Sequence, residues 1–250
     1  MYDLILLFLG ALGIGFVSAI VGIGGGTLMI PFMVLILNYD VKEAIATSLV
    51  SIIVTSSSAS SIYLRRRDVD LKTAFLLEPS TAAGAIVGAY LTISLPTRIV
   101  ETAFSLLLLY VSISMLRDAL RRKEIETGNY KVSRQRRGVG VLIAFLAGLT
   151  SGMLGIGGGV LKVPLMTMVL GLPIRTAIAT SSFMVGLTAS AGSLVYLLKG
   201  YVNPYAVASL ALGIIPGATL GAHMLKKISP RILKIIFSVT LMYASIKLLI

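Results

Sequence analysis

The sequence predicts an all-α polytopic membrane protein. It would be built of two repeats of about five helical segments each, with glycine-broken half-helices or re-entrant hairpins. Three observations predict this: an apolar composition, a series of apolar stretches of spanning length, and one internal offset that pairs residues across the chain.

The 250 residues are 56% hydrophobic and only 13% charged. Soluble domains carry about 25% charged residues. Mean hydropathy is +0.96, so apolar residues run almost throughout. The net charge of +12 could point to a nucleic-acid binder. However, Lys and Arg gather in short runs between apolar stretches, as cytoplasmic loops require. No soluble domain or aromatic platform supports nucleic-acid binding. Cysteine is absent and His223 is the single histidine, which excludes disulfides, thiol chemistry and Cys- or multi-His metal sites. No cofactor or metal is expected. The start, Met1-Tyr2-Asp3 before an apolar run, has no basic n-region and reads as the first helix rather than a signal peptide.

A spanning helix needs about 20 apolar residues. Apolar stretches fall at 4–22, 27–37, 44–64, 71–95, 98–116, 138–156, 160–170, 176–198, 204–225 and 232–250. The stretches 27–37 and 160–170 are too short to span. Each follows a glycine cluster, so each reads as a half-helix or one arm of a re-entrant hairpin.

Gly22-Ile23-Gly24-Gly25-Gly26 recurs 133 positions later as Gly155-Ile156-Gly157-Gly158-Gly159. The same offset pairs Pro31 with Pro164, Ala44-Ile45-Ala46-Thr47-Ser48 with Ala177-Ile178-Ala179-Thr180-Ser181, and Tyr63 with Tyr196. It also pairs Gly84 with Gly217, Gly88 with Gly221, Phe104 with Phe237 and Tyr110 with Tyr243. Such an offset indicates a duplicated unit. The domains are a first membrane repeat at 1–116, a basic linker at 117–137 and a second membrane repeat at 138–250.

Charge arbitrates between parallel and inverted copies. With the linker inside, an inverted second copy places seventeen basic residues inside and four outside, whereas a parallel copy gives fourteen and seven. The inverted arrangement fits the positive-inside rule better. It puts the linker in the cytoplasm and both termini outside the plasma membrane.

Three constellations could carry chemistry. In the two glycine clusters the backbone can leave the helix and expose N–H groups. The positive end of the following half-helix then faces the cluster, which favours an anion. An inverted repeat would bring the two clusters together near the bilayer midplane. Gly84/Gly88 and Gly217/Gly221 have the spacing of close helix packing instead. A nucleotide-binding reading fails for want of a Gly-Lys-Ser/Thr and of any strand. The second constellation is hydroxyl-rich: Thr47, Ser48, Ser51, Thr55 and Ser56 to Ser58 on one helix, and Thr180, Ser181, Ser182, Thr188, Ser190 and Ser193 on its mate. Thr47, Ser48, Thr180 and Ser181 could donate to an oxyanion or bond to their own helix; the outer serines read as packing. The third is charge within apolar stretches, which marks function by default. Lys162, whose repeat mate is Met29, would add positive charge beside the second cluster or snorkel to the interface. Glu78 could carry a coupling proton or sit near the inner interface. His223, close to Lys226 and Lys227, reads as interfacial.

The repeated Gly-Ile-Gly-Gly-Gly-x-Leu-x-Val/Ile-Pro motif resembles the sulfite exporter TauE/SafE family, and the resemblance covers the whole chain. It implies transport of small sulfur oxyanions and organosulfonates across the prokaryotic plasma membrane. It also implies that Gly24, Gly25, Gly26, Gly157, Gly158 and Gly159 line the substrate path.

The expectation is therefore a secondary transporter, not an enzyme. A small anion, sulfite- or sulfoacetate-like, would bind between the clusters by alternating access. Its site would comprise the six glycines, Thr27, Thr47, Ser48, Lys162, Thr180 and Ser181, with Glu78 as proton-coupling candidate. The partners are that anion, the lipid bilayer and protons as coupling ion, with homo-oligomerisation left open. The rival readings are an anion channel and a transporter of a non-sulfur anion. A membrane enzyme is disfavoured by the missing Cys and clustered carboxylates.

Overall fold

The computed structural model describes residues 2–21, 24–120, 134–224 and 230–249, and among these there is no strand. Gly22, Ile23, most of the linker, Lys226 and Lys227 lie outside the described residues.

The helices are α1 (Tyr2–Val21), α2 (Gly26–Leu37), α3 (Val41–Arg65), α4 (Leu71–Ser94), α5 (Thr97–Leu120), α6 (Arg134–Leu154), α7 (Gly159–Pro164), α8 (Ile174–Leu198), α9 (Pro204–Met224) and α10 (Pro230–Leu249). A π-helical turn, Leu165–Val169, follows α7. The short segments behave as the sequence predicts, at twelve residues for α2 and six for α7. Helix reaches into both ends of the 117–137 segment, since α5 runs on to Leu120 and α6 begins at Arg134. α3, α4, the Thr97–Ser114 part of α5, α8 and α9 are long and apolar enough to cross a membrane.

Side-chain caps start three of these helices; at α9, Asn203 Oδ1 accepts from the N–H of Ala206 (3.1 Å). Asp40 Oδ1 accepts from the N–H groups of Lys42 (2.8 Å) and Glu43 (3.4 Å) at α3, and Asp70 Oδ1 accepts from Lys72 (3.0 Å) and Thr73 (3.3 Å) at α4. These are N-cap bonds that satisfy otherwise orphaned donors.

α4 packs on α6 and α9 packs on α1, through glycines facing backbone. A Cβ added at Gly84 or Gly88 would collide with the carbonyl oxygens of Phe145 and Leu149 on α6. At Gly217 and Gly221 it would collide with those of Leu12 and Phe16 on α1. In lipid, helices associate through such close packing rather than through a hydrophobic gain. Large apolar side chains such as Phe75, Leu106, Leu198 and Leu212 point outward.

α3 and α8 form the centre and run in opposite directions. The N–H of Asp70, just past α3, donates to Thr180 Oγ1 near the start of α8 (2.9 Å). The N–H of Asn203, just past α8, donates to Thr47 Oγ1 near the start of α3 (3.2 Å). Both partners of this pair of bonds are displaced by 133 positions. The same displacement relates Tyr63 Oη donating to Ala19 O (2.7 Å) and Tyr196 Oη donating to Gly152 O (2.8 Å). Ser112 donates to Ser238 O (2.6 Å) and Ser245 to Ser105 O (2.8 Å), a reciprocal pair between α5 and α10.

Candidate functional site

The two glycine clusters meet beside α3 and α8. Gly24 and Gly25 have φ of 88° and 90°, and Gly157 and Gly158 have 75° and 72°. That left-handed backbone is open to glycine at little cost. It lets the chain turn sharply out of α1 and α6 and restart as α2 and α7. Gly25 and Gly158 are the N-caps of the new helices, and no side chain caps either one. The first-turn N–H groups of a helix have no partner within it.

The clusters touch each other. A Cβ on Gly26 would run into the carbonyl oxygen of Gly155. Val185 of α8 lies against both: its Cγ1 would be 2.6 Å from a Cβ on Gly24 and 2.7 Å from one on Gly157. Ile52 of α3, 133 positions before Val185, flanks them from the other side, with its Cγ2 3.2 Å from the same position on Gly157. Gly24 to Gly26, Gly155 to Gly159, Ile52 and Val185 are all buried, so the centre is closed.

Three buried hydroxyls at this level have no hydrogen-bond partner: Ser18, Thr27 and Ser151. Ser18 Oγ would lie 3.0 Å from a Cβ on Gly25, and Ser151 Cβ 3.3 Å from one on Gly158. Most buried polar groups in proteins are paired, so each orphan calls for a reason. Thr27 belongs to the site that the sequence predicts. Ser18 and Ser151 do not, although the 133-residue offset relates them and could have found them.

The remaining hydroxyl candidates separate. Ser48 reaches the centre, donating to Ile45 O (2.8 Å) or to Gly155 O of the second cluster (3.0 Å). Thr47 and Thr180 accept the N–H groups of Asn203 and Asp70, tying down the loops beyond α8 and α3. Ser181 is fully buried on α8.

Lys162 and Glu78, which the sequence treats separately, come together. Lys162, 0% exposed, holds its Nζ 3.4 Å from Glu78 Oε2. Thr188 of α8 joins them. Its hydroxyl donates to Glu78 Oε1 (2.6 Å) and accepts from Lys162 Nζ. Thr81, one turn on from Glu78, has its hydroxyl 3.3 Å from that of Thr188. Lys162 Cε lies 3.5 Å from the Cβ position of Gly158, so this network begins directly beneath the second cluster. The sequence names Thr188 among the hydroxyls but gives it no place in the site.

A separate cavity of about 300 Å³ opens at the end of the bundle where α3 begins, lined by Asp40, Glu43, Gly200, Tyr201 and Val202. Glu43 lies nine residues before Ile52, or about 13 Å along the helix, so this cavity is remote from the glycine centre.

Apolar helices of spanning length around a closed, polar centre define a multi-pass membrane protein. Residues 7–248 match the family model described as "Sulfite exporter TauE/SafE". The chain belongs to that family and is a membrane transporter. It is 28% identical to the probable membrane transporter protein YunE of Bacillus subtilis, over 98% of this chain and 96% of that protein. It is 25% identical to the probable membrane transporter protein MJ0441 of Methanocaldococcus jannaschii, over 90% of this chain and 87% of that one. It is 37% identical to sulfite exporter TauE/SafE family protein 6 of Arabidopsis thaliana, over 41% of this chain and 24% of the plant protein. No solved structure matches the chain.

Proposed function

We propose that the protein is a secondary transporter of a small anion, a sulfur oxyanion or organosulfonate of the sulfite or sulfoacetate kind. The anion binds where the glycine clusters meet. The observation that carries this reading is the pair of uncapped helix starts at Gly26 and Gly159, with the orphan hydroxyls of Ser18, Thr27 and Ser151 beside them. Helix N-termini favour negative charge, and an unpaired buried hydroxyl has a free proton to donate. The family name supports the sulfur assignment.

The two halves, 1–116 and 138–250, are inverted copies that move against each other to alternate access. The contacts that recur at the 133-residue offset and the opposed directions of α3 and α8 favour inversion. Ile52 and Val185 form the apolar plug that parts when the site opens to one side. The linker faces the cytoplasm of a plasma membrane and both termini face outside.

Flux into proteoliposomes tests the reading. Radiolabelled sulfite or sulfoacetate should accumulate above its external concentration when a gradient is imposed. Flux that only equalises concentrations would make the protein a channel, and flux of other small anions alone would remove the sulfur assignment.

A further inference from the structure

The Lys162–Glu78 pair has no counterpart in the other half of the chain. The 133-residue offset relates Lys162 to Met29, Glu78 to Ala211, Thr188 to Thr55 and Thr81 to Ile214. Three of the four residues at the offset positions are therefore apolar where their mates are ionic or hydroxylic. Met29 and Ile214 are fully buried, and Thr55 donates to Ser51 O (3.2 Å) within its own helix. The same scaffold thus packs in two versions. A buried ion pair is not required for packing, and apolar replacements of such pairs are often neutral or stabilising.

Lys162 is the fixed positive charge nearest the glycine centre, yet Glu78 already neutralises it. An anion arriving at a paired Lys162 would leave two negative charges against one positive charge in a site closed to water. That arrangement is strongly unfavourable at low dielectric. We infer that Glu78 and the transported anion compete for Lys162, so that each anion bound brings one proton onto Glu78.

In this exchange a proton from water binds the Glu78 carboxylate and the ion pair to Lys162 breaks. The ammonium group then pairs with the anion beneath Gly158. The Thr188 hydroxyl, which bridges the two, turns from the carboxylate to the anion. The total charge of the site is unchanged when the anion carries one charge. Transport of anion and proton in the same direction follows, with the coupling confined to the second cluster. The other charged groups on the surrounding elements sit at helix ends: Lys72 on α4, Arg134, Arg136 and Arg137 on α6, Arg175 at the start of α8 and Lys199 just beyond it. Lys162 is the one charged residue on α7.

The inference rests on the anion-transporter reading, and one experiment separates the two. Affinity of the detergent-purified protein for methanesulfonate and for sulfate is measured from about pH 6 to about pH 8, where neither anion changes charge. Wild-type affinity for at least one should fall about tenfold per pH unit, the slope of one linked proton. Glu78→Gln should bind that anion with no pH slope. The double variant Lys162→Met with Glu78→Ala, which copies Met29 and Ala211, should fold and bind neither. If Glu78→Gln keeps the wild-type slope, if wild type shows none, or if the double variant binds as wild type does, the competition is overturned while anion binding stands. If neither anion binds wild type at any pH, both readings fall.

Discussion

Gly26 at the start of α2 sits directly on the carbonyl oxygen of Gly155, close enough that a Cβ has no room. The two clusters are thus in backbone contact, and the α1–α2 break and the α6–α7 break form one centre. Gly26→Ala should destabilise the protein by about 3 kcal/mol, the upper range for forcing a carbon into a packed interior. Gly13 on α1 is the control, since nothing lies within 4 Å of its Cβ position. Gly13→Ala should leave stability unchanged or raise it by about 0.5–1 kcal/mol through helix propensity. Thermal unfolding in detergent compares the two. Equal effects would mean that the clusters do not touch.

The network beneath the second cluster predicts a non-additive pair. Removing one partner of a buried ion pair leaves a buried charge alone and costs about 3–5 kcal/mol. Lys162→Met and Glu78→Ala should each be destabilised on that scale. The double variant should return to within about 1 kcal/mol of wild type. A double-mutant cycle on melting curves measures this, and additive losses would show that the two side chains do not interact.

Tyr63 and Tyr196 make equivalent bonds, to Ala19 O and Gly152 O. Each Tyr→Phe change should cost about 1 kcal/mol, the usual net value of a hydrogen bond, with more if the carbonyl is left unpaired. The two costs should match within experimental error and add in the double variant. A loss at one site alone would break the equivalence of the two halves.

Much of the fold is legible in the sequence because lipid imposes simple constraints. Length and apolarity mark α3, α4, α5, α8 and α9, and three consecutive glycines mark each helix break. The packing role of Gly84, Gly88, Gly217 and Gly221 is also legible, since small residues four apart lie on one helix face. Where α5 ends and α6 begins is not legible, because Arg117, Arg134, Arg136 and Arg137 fall outside the apolar stretches that mark the helices.

The site is less legible, because its contacts join elements far apart in sequence. Lys162 and Glu78 are 84 positions apart, and nothing local to either residue signals the other. Thr47 and Thr180 have the composition of ligand donors, yet their hydroxyls are occupied by backbone N–H groups of the loops after α8 and α3. Ser18 and Ser151 look like ordinary small residues in packed helices. The 133-residue offset pairs them, and their missing partners set them apart from the other paired small residues.

Those two serines give the most direct test of where the anion binds. Because the hydroxyls of Ser18 and Ser151 make no hydrogen bond in the closed structure, Ser→Ala at both should leave stability unchanged or raise it by up to about 1 kcal/mol. The decisive measurement is the melting temperature of wild type and of this double variant, each with and without sulfite, sulfoacetate or sulfate in excess. Saturation at about 100 times Kd adds about 2.7 kcal/mol to a folded state that alone binds the ligand. The account predicts that at least one of these anions raises the melting temperature of wild type, and that the rise is largely lost in the double variant although its unliganded melting temperature is not lowered. An equal rise in both proteins, or none in wild type, would contradict an anion site between the glycine clusters.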